Sequence, residues 1–329
     1  MIRRLRPLTP VLALSLLGTT LLAGRRSRPP QARPLLGRTV VITGASSGIG
    51  RATALECAAR GAQVVVAARD AAALDAVVRE GERLGGVLLA VPTDVTVRAQ
   101  VEALVAAAVA RFGRIDVMVN HAGDMFVDRV EHSEEARVRA LIDVNVMGVL
   151  YGIQAAVPVM RRQGGGHVIN MASVEGRVGF PYSGIYGGTK AFVEVMTQTL
   201  RQELMHVERT GISVTAVLPA AVRTPLWDRA VNVEAGGQGA HLVWPVVEAS
   251  HVAHAIADAI VHPRPLVYPL RVARGAAVLY DVFPGLAGRL LSRLRVDRHV
   301  NLLSAAQRGS GQATRPISPV VRGGRLHDV

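Results

Sequence analysis

The chain has 329 residues, half of them hydrophobic and only 4% aromatic, which is enough for one large α/β domain with extensions and a core of Val, Ala, Leu and Ile. A single cysteine, Cys57, excludes an internal disulfide framework and a cysteine-based zinc site, so no metal site is expected. The net charge of +13 belongs to the ends: residues 1–38 carry eight arginines and no acid, and residues 264–329 carry eleven arginines and three acids. The middle of the chain is slightly acidic, which argues against a nucleic-acid enzyme; basic ends beside apolar segments suit an anionic membrane surface.

Residues 1–37 place arginines on both sides of an apolar run from about Leu8 to Gly24, at the lower limit of length for a spanning helix. More positive charge follows the run than precedes it, so it reads as an uncleaved anchor that leaves the next domain facing the cytoplasm. A cleaved signal peptide is one alternative, although Leu22-Ala23-Gly24 is a poor cleavage site, and a plain cytoplasmic protein is the other.

From Arg38 the pattern becomes regular. RTVVIT (38–43) reads as a buried strand, residues 51–60 as a helix, AQVVVAA (62–68) as a second strand and 70–84 as a helix. VLLAV (87–91), IDVMVN (115–120), HVINMAS (167–173) and ISVTAVLP (212–219) continue the strands, with helices over 96–112, 133–163 and 183–209 between them. This alternation predicts a doubly wound parallel sheet of the Rossmann type, a single domain over 38–270 with terminal extensions. Residues 225–247, Gly-containing and apolar with two tryptophans, suit a mobile lid. Residues 248–262 read as a helix and LVYPL (266–270) as a last strand. In the basic extension 271–329, residues 271–304 carry apolar residues at helical spacing broken at Pro284, which fits a membrane-surface element or a helix packed on the domain. The end, from about Ala306, has a composition that predicts disorder.

Two stretches carry chemistry. Thr43-Gly44-Ala45-Ser46-Ser47-Gly48-Ile49-Gly50 follows the first strand and opens the first helix, where glycines permit a tight turn and close approach of a pyrophosphate to the helix N-terminus. SVEGRVGFPYSGIYGGTK (173–190) holds a serine, a tyrosine and, four residues later, a lysine. Tyr186 and Lys190 lie one helical turn apart on one face, and an ammonium beside a phenol lowers the phenol's pKa toward a range useful for proton transfer. Lys190 is the only lysine in the chain, at a place where arginine could not supply a compact three-donor ammonium.

With TGASSGIG, NHAG at 120–123, Asn145, Ser173 and the Tyr186-x-x-x-Lys190 pair in this order, residues 37–270 resemble the short-chain dehydrogenase/reductase superfamily, in its branch of simple oxidoreductases. The resemblance implies that Tyr186 is the general acid in reduction and the base in oxidation, and that Lys190 lowers its pKa and holds the nicotinamide ribose. It also implies that Ser173 bonds the substrate oxygen and that Asn145 positions a water in a proton relay. Thr43, Gly44, Ser46, Ser47, Gly48, Ile49, Gly50, Asn120, Ala122 and Gly123 are implied in cofactor binding, with Asp94 toward the adenine and Pro219, Val222 and Thr224 toward the nicotinamide side.

The second strand ends Ala67-Ala68-Arg69, with no acid before Asp70, so Arg69 is positioned to pair with a 2′-phosphate: NADP(H) is the preferred cofactor and NAD(H) the alternative. Two positions depart from the family pattern. His121 stands where a second asparagine is usual and reads as a structural replacement; Ala220 stands where a glycine follows Pro219, leaving the nicotinamide-side backbone less freedom.

The expectation is an NADP(H)-dependent oxidoreductase interconverting a carbonyl and an alcohol, by analogy with anchored members on a hydrophobic substrate. The rival readings are a non-catalytic nucleotide-binding scaffold or sensor, and a lyase or epimerase on the same fold. The resemblance also implies a homodimer or homotetramer through the helices over 133–163 and 183–209; the remaining partner expected is a membrane surface, not a nucleic acid.

Overall fold

The computed structural model describes residues 34–232 and 246–293. The anchor expected in residues 1–37 lies almost wholly outside the described residues, as do most of the expected lid and the chain beyond 293.

Eleven strands are present among the described residues: β1 (Thr39–Thr43), β2 (Gln63–Ala68), β3 (Val87–Pro92), β4 (Val117–Asn120), β5 (Phe126–Val127), β6 (Gly166–Met171), β7 (Ile212–Val217), β8 (Val222–Arg223), β9 (Val231–Asn232), β10 (Val247–Glu248) and β11 (Leu266–Val267). Seven form one parallel sheet in the order β11-β7-β6-β4-β1-β2-β3. The others pair as β8 with β10 and β5 with β9. This is the doubly wound architecture that alternating apolar runs and helical stretches imply.

The central strands are buried on both faces because they are predominantly apolar, and their period of two divides the apolar side chains between two cores. Val41, Val65, Met118, Val168 and Val214 face one core, together with Leu104, Ala156 and Val193 from the helices Arg98–Phe112, Gly148–Gln163 and Gly184–Arg201. Val40, Ile42, Val64, Val119 and Ile169 face the other, with Cys57 and Ile256 from the helices Gly48–Ala59 and Ala249–Val261. Cys57 is a buried core residue whose thiol is pushed up to about 12, first by burial.

Element ends differ from the sequence reading where side chains compete with the ladder. The strand expected over 167–173 stops at Met171 because Ser173 leaves the strand and caps the short turn Val174–Gly176, its hydroxyl accepting from Glu175 N at 3.1 Å. The expected helix over 133–163 is continuous from Glu135 but widens to a π-turn at Asp143–Met147. It is long and apolar enough to cross a membrane by composition, with a mean hydropathy of 1.6, yet half of that stretch is buried inside the domain.

Of the two fates open to the segment after residue 270, the structure shows packing for its first part. The helix Arg271–Val282 buries Ala273 and Ala277 in the first core, and a second helix starts at Pro284. Asp281 on the first of these accepts from Arg177 at 3.2 Å. Arg177 also forks onto Glu194 of the helix Gly184–Arg201, with Nε at 2.8 and 3.0 Å from the two carboxylate oxygens. Glu194 is only 3% exposed, so its charge depends on this partner. Arg177→Ala is expected to destabilise the fold by about 3 kcal/mol, because it strands a buried carboxylate. Chemical denaturation measures it, and a loss under about 0.5 kcal/mol, the scale of an ordinary surface change, would show that Glu194 finds another partner.

Candidate active site

The strand order reverses between β1 and β4, and a crevice opens beyond the carboxyl ends of the strands there, as such folds require. Its cavity of about 350 Å³ is lined from successive strand ends: Gly44 to Ile49 after β1 (Ala45 excepted), Arg69 after β2, Asp94 after β3, Ala122 and Gly123 after β4, Ser173 after β6, and Pro219, Val222 and Thr224 after β7.

The first loop is built for close approach. Gly44 has φ +68 and Gly48 φ +56, conformations that favour glycine, and a Cβ on Gly44 would sit 2.8 Å from the Ala122 backbone. A side chain on Gly50 would collide with the Gly44 carbonyl and the His121 ring, so Gly50 serves the packing of loop on helix and does not line the cavity. Ser47 caps the helix Gly48–Ala59 without spending its hydroxyl on a backbone N–H, which leaves the helix N-terminus open to an anion. Arg229 approaches that hydroxyl at 3.4 Å, a basic group at the phosphate end that the sequence reading did not single out.

Thr43 and Asn120 work from behind the cavity. Thr43 Oγ1 accepts from His121 N at 3.0 Å and from Ala122 N at 3.1 Å, holding the loop after β4 against β1. Asn120 donates to Asn170 at 2.8 Å and is 1% exposed. Neither side chain lines the cavity. Asp94 lines it while accepting from Thr96 through both the backbone N–H and the hydroxyl. Arg69 is exposed at the rim, and the acid beside it, Asp70, is engaged as the N-cap of the helix Ala71–Arg83, accepting from Ala73 N at 3.0 Å.

Ser173, Tyr186 and Lys190 meet at the inner wall. The helix Gly184–Arg201 sets Tyr186 and Lys190 on one face, with the Lys190 nitrogen 5.7 Å from the phenol ring centroid and donating to Met171 O at 3.1 Å. Asn145 sits in the π-turn behind them, fully buried. Its Oδ1 accepts from Asp124 N at 2.8 Å, and its Nδ2 donates to Asp124 O at 2.9 Å and Thr189 Oγ1 at 3.0 Å. A Cβ on Gly123 would fall 3.2 Å from the Asn145 oxygen and 3.3 Å from the Lys190 nitrogen, so these two groups converge on one point.

The electrostatics correct one expectation. Lys190 was expected to hold the phenol's pKa down, but burial raises the Tyr186 phenol above its ordinary range, the charge of Glu175 adds to the rise, and a hydrogen bond with Ser173 opposes both. Burial also lowers the Lys190 ammonium to about 8. The reason is physical: both groups are taken out of water, and desolvation disfavours each charged form more than the pair's separation can recover. Glu175, a further wall residue that no local pattern in the sequence ranked, has its carboxyl raised to about 7, again first by burial.

His121 faces the cavity with Nδ1 buried and unpartnered, and burial, followed by the Lys190 charge, lowers it from 6.5 to about 4. It is therefore neutral at physiological pH. A histidine that stays neutral when folded but protonates at 6.5 when unfolded costs no stability above pH 6.5 and loses it as pH falls toward about 4. His121→Asn is accordingly expected to lose less stability than the unmodified chain across that window, with His167, shifted the same way, present in both. Denaturant midpoints at each pH measure this; parallel pH profiles would show that His121 is solvated.

The model of the short-chain dehydrogenase family matches residues 38–234. The chain is 40% identical over 227 residues to an uncharacterized oxidoreductase of Staphylococcus saprophyticus, covering 69% of this chain and 91% of that protein. It is 38% identical over 211 residues to the glycine betaine reductase ATRR of Emericella nidulans, covering 64% of this chain but 16% of that much longer protein. Among solved structures, a short chain dehydrogenase/reductase from Burkholderia phymatum in complex with NAD superposes with a TM-score of 0.69 at 28% identity, covering 77% of this chain and 96% of that one. Levodione reductase superposes with a TM-score of 0.61 at 29% identity, covering 71% of this chain and 96% of its own. The fold and the crevice define a nicotinamide-dependent oxidoreductase scaffold. This chain belongs to the short-chain dehydrogenase family, as an NAD(P)-dependent oxidoreductase.

Proposed function

We propose that the chain interconverts a carbonyl and an alcohol with NADP(H), and that Tyr186 carries the proton. The observation that supports this most is the convergence of Ser173, Tyr186 and Lys190 on one wall of the cavity. NADP(H) would lie with its phosphates on the Gly44–Gly50 loop and, when bound, supplies or takes the hydride. Gly44 and Gly48, with their left-handed φ, and the open helix N-terminus fit a dinucleotide there.

Ser173 donates to the substrate oxygen and so orients the carbonyl. Tyr186 delivers its proton to that oxygen as negative charge grows on it. Burial keeps the phenol protonated at neutral pH, which suits donation and therefore the reductive direction. Lys190, still an ammonium at pH 7, would hold the nicotinamide ribose and favour charge building on the oxygen. Asn145 fixes the loop carrying Gly123 to the catalytic helix, with its oxygen turned toward the same point as Lys190. The preference for NADP(H) is supported by Arg69 at the rim, directly after a strand end that carries no acid, while Asp70 beside it uses one carboxylate oxygen to cap the next helix.

Met125, Val144, Leu226 and Trp227 lend an apolar frame to the substrate end of the cavity, which suits a substrate with hydrocarbon surface. The apolar, arginine-flanked segment within residues 1–37 would bring the domain to a membrane where such substrates partition. The helices Gly148–Gln163 and Gly184–Arg201 would carry a homodimer or homotetramer, with Phe192 and Val195 exposed on the second.

Tyr186→Phe is expected to lower kcat by about a hundredfold or more while NADPH affinity stays within a few-fold. Steady-state rates and nucleotide fluorescence test this, and near-normal turnover would end the assignment of Tyr186. Arg69→Asp is expected to move the preference from NADPH toward NADH by about tenfold, read as the ratio of kcat/KM values. An unchanged ratio would take Arg69 out of cofactor selection.

A further inference from the structure

Glu175 has no role in the chemistry described so far, yet it is placed with care. It lies two residues beyond Ser173 in the turn Val174–Gly176, and that turn sits directly on the helix bearing Tyr186. Two glycines permit the contact. A Cβ on Gly187 would collide with the Glu175 carbonyl at 2.6 Å, and one on Gly176 would meet the backbone of Ala191 at 2.8 Å. Arg177, directly after the turn, ties it to Glu194 of the same helix and to Asp281 of the helix Arg271–Val282, so its guanidinium is committed to those two carboxylates. The turn cannot shift without breaking one of these contacts.

The carboxyl this turn holds lines the cavity with Ser173 and Tyr186. A hydrogen bond with Ser183 engages the group, but Oε2 is buried and has no partner. An unsatisfied buried carboxyl oxygen is costly, and a functional role is one reason a natural fold keeps it. Its charge acts on the Tyr186 phenol, so the carboxyl is close to the atom that exchanges a proton with the substrate. A group satisfying Oε2 is a donor, and a donor on the molecule whose carbonyl faces Ser173 and Tyr186 would lie beside this carboxyl.

Resting on the carbonyl–alcohol reading of the site, we infer that Glu175 is a specificity-determining residue: it selects carbonyl substrates that carry a hydrogen-bond donor, an ammonium or a hydroxyl, within one or two carbons of the reacting carbon. The substrate is then apolar where it meets Met125, Leu226 and Trp227 and polar at one point, beside the reacting oxygen. Burial raises the Glu175 carboxyl to about 7, so the group is available as an acceptor at and above neutrality.

Butanone, hydroxyacetone and aminoacetone test this, because they are nearly isosteric and differ at one terminal group: methyl, hydroxyl or ammonium. Each is offered, with its homologue one carbon longer, to the full chain at pH 8. Two readouts are taken: kcat/KM with NADPH and NADH, and calorimetric binding to the nucleotide-loaded protein. The donor-bearing ketones are expected to exceed butanone by about tenfold or more in both, since a site built to bond a polar group rejects an analogue lacking it. Glu175→Gln, which keeps the shape but removes the charge, is expected to abolish the advantage of aminoacetone, and Glu175→Asp to restore part of it.

Equal binding of butanone, hydroxyacetone and aminoacetone by the unmodified chain would overturn the inference without any variant, as would an undiminished preference for aminoacetone in a folded Glu175→Gln protein. A preference for hydroxyacetone alone would identify a hydroxyl substrate, and one for aminoacetone alone a cationic substrate; both uphold a donor. Absence of turnover with every ketone and both nucleotides counts against the carbonyl–alcohol reading, while the binding series still judges Glu175 independently.

Discussion

A chain of buried side-chain hydrogen bonds holds the helix Gly184–Arg201, which carries Tyr186 and Lys190, to the sheet, and the cavity wall depends on it. Asn120 at the end of β4 donates to Asn170 in β6 at 2.8 Å, and Asn170 donates to Thr197 at 2.9 Å. Thr197 belongs to the helix Gly184–Arg201 and returns its hydroxyl to Val193 O at 2.6 Å. About two turns nearer the cavity, Asn145 joins Asp124 to Thr189 in the same way. In so dry an interior each missed partner would be costly, so these bonds allow one register of helix on sheet and no other. Tyr186 and Lys190 inherit their positions from that register.

The polar ties explain why the surrounding core is small-grained. Gly152 packs so closely on Asn120 that any side chain there would overlap the amide, and Gly148 likewise meets Val95. Between these contacts the core is filled by Val, Ala, Ile and Leu, whose stiff or short side chains transmit position with little slack. The π-turn at Asp143–Met147 fits the same scheme. An extra residue in the turn lets Asn145 reach inward at a point where an ordinary helix would carry it past.

The same dryness sets the chemistry. Tyr186, Lys190, Glu175 and His121 are each shifted toward their uncharged forms, and burial is the first cause in every case. A wall with a neutral phenol, a weakly held ammonium and a carboxyl near its midpoint responds strongly to whatever charge a ligand brings. Low dielectric makes that response large, so the positions of a few groups count for more than the net charge of the domain.

Much of this was legible in the chain itself. The apolar strand runs and their spacing determine a parallel sheet, since strands buried on both faces must be apolar throughout and parallel crossovers need helices between them. The glycine loop and the Tyr186–Lys190 pair are local patterns, so periodicity alone brings their members together. What only the tertiary structure decided is which distant groups share the cavity and how dry it is. Trp227 and Arg229 come from the helix Pro225–Arg229, and no spacing in the sequence joins them to Ser173; Glu175 is Ser173's near neighbour, but only the fold brings it to the cavity wall beside Tyr186. The direction of the Tyr186 shift is decided there as well. A Tyr–Lys pair one turn apart can be read from the sequence, but desolvation depends on everything packed around it, and here desolvation outweighs the pair.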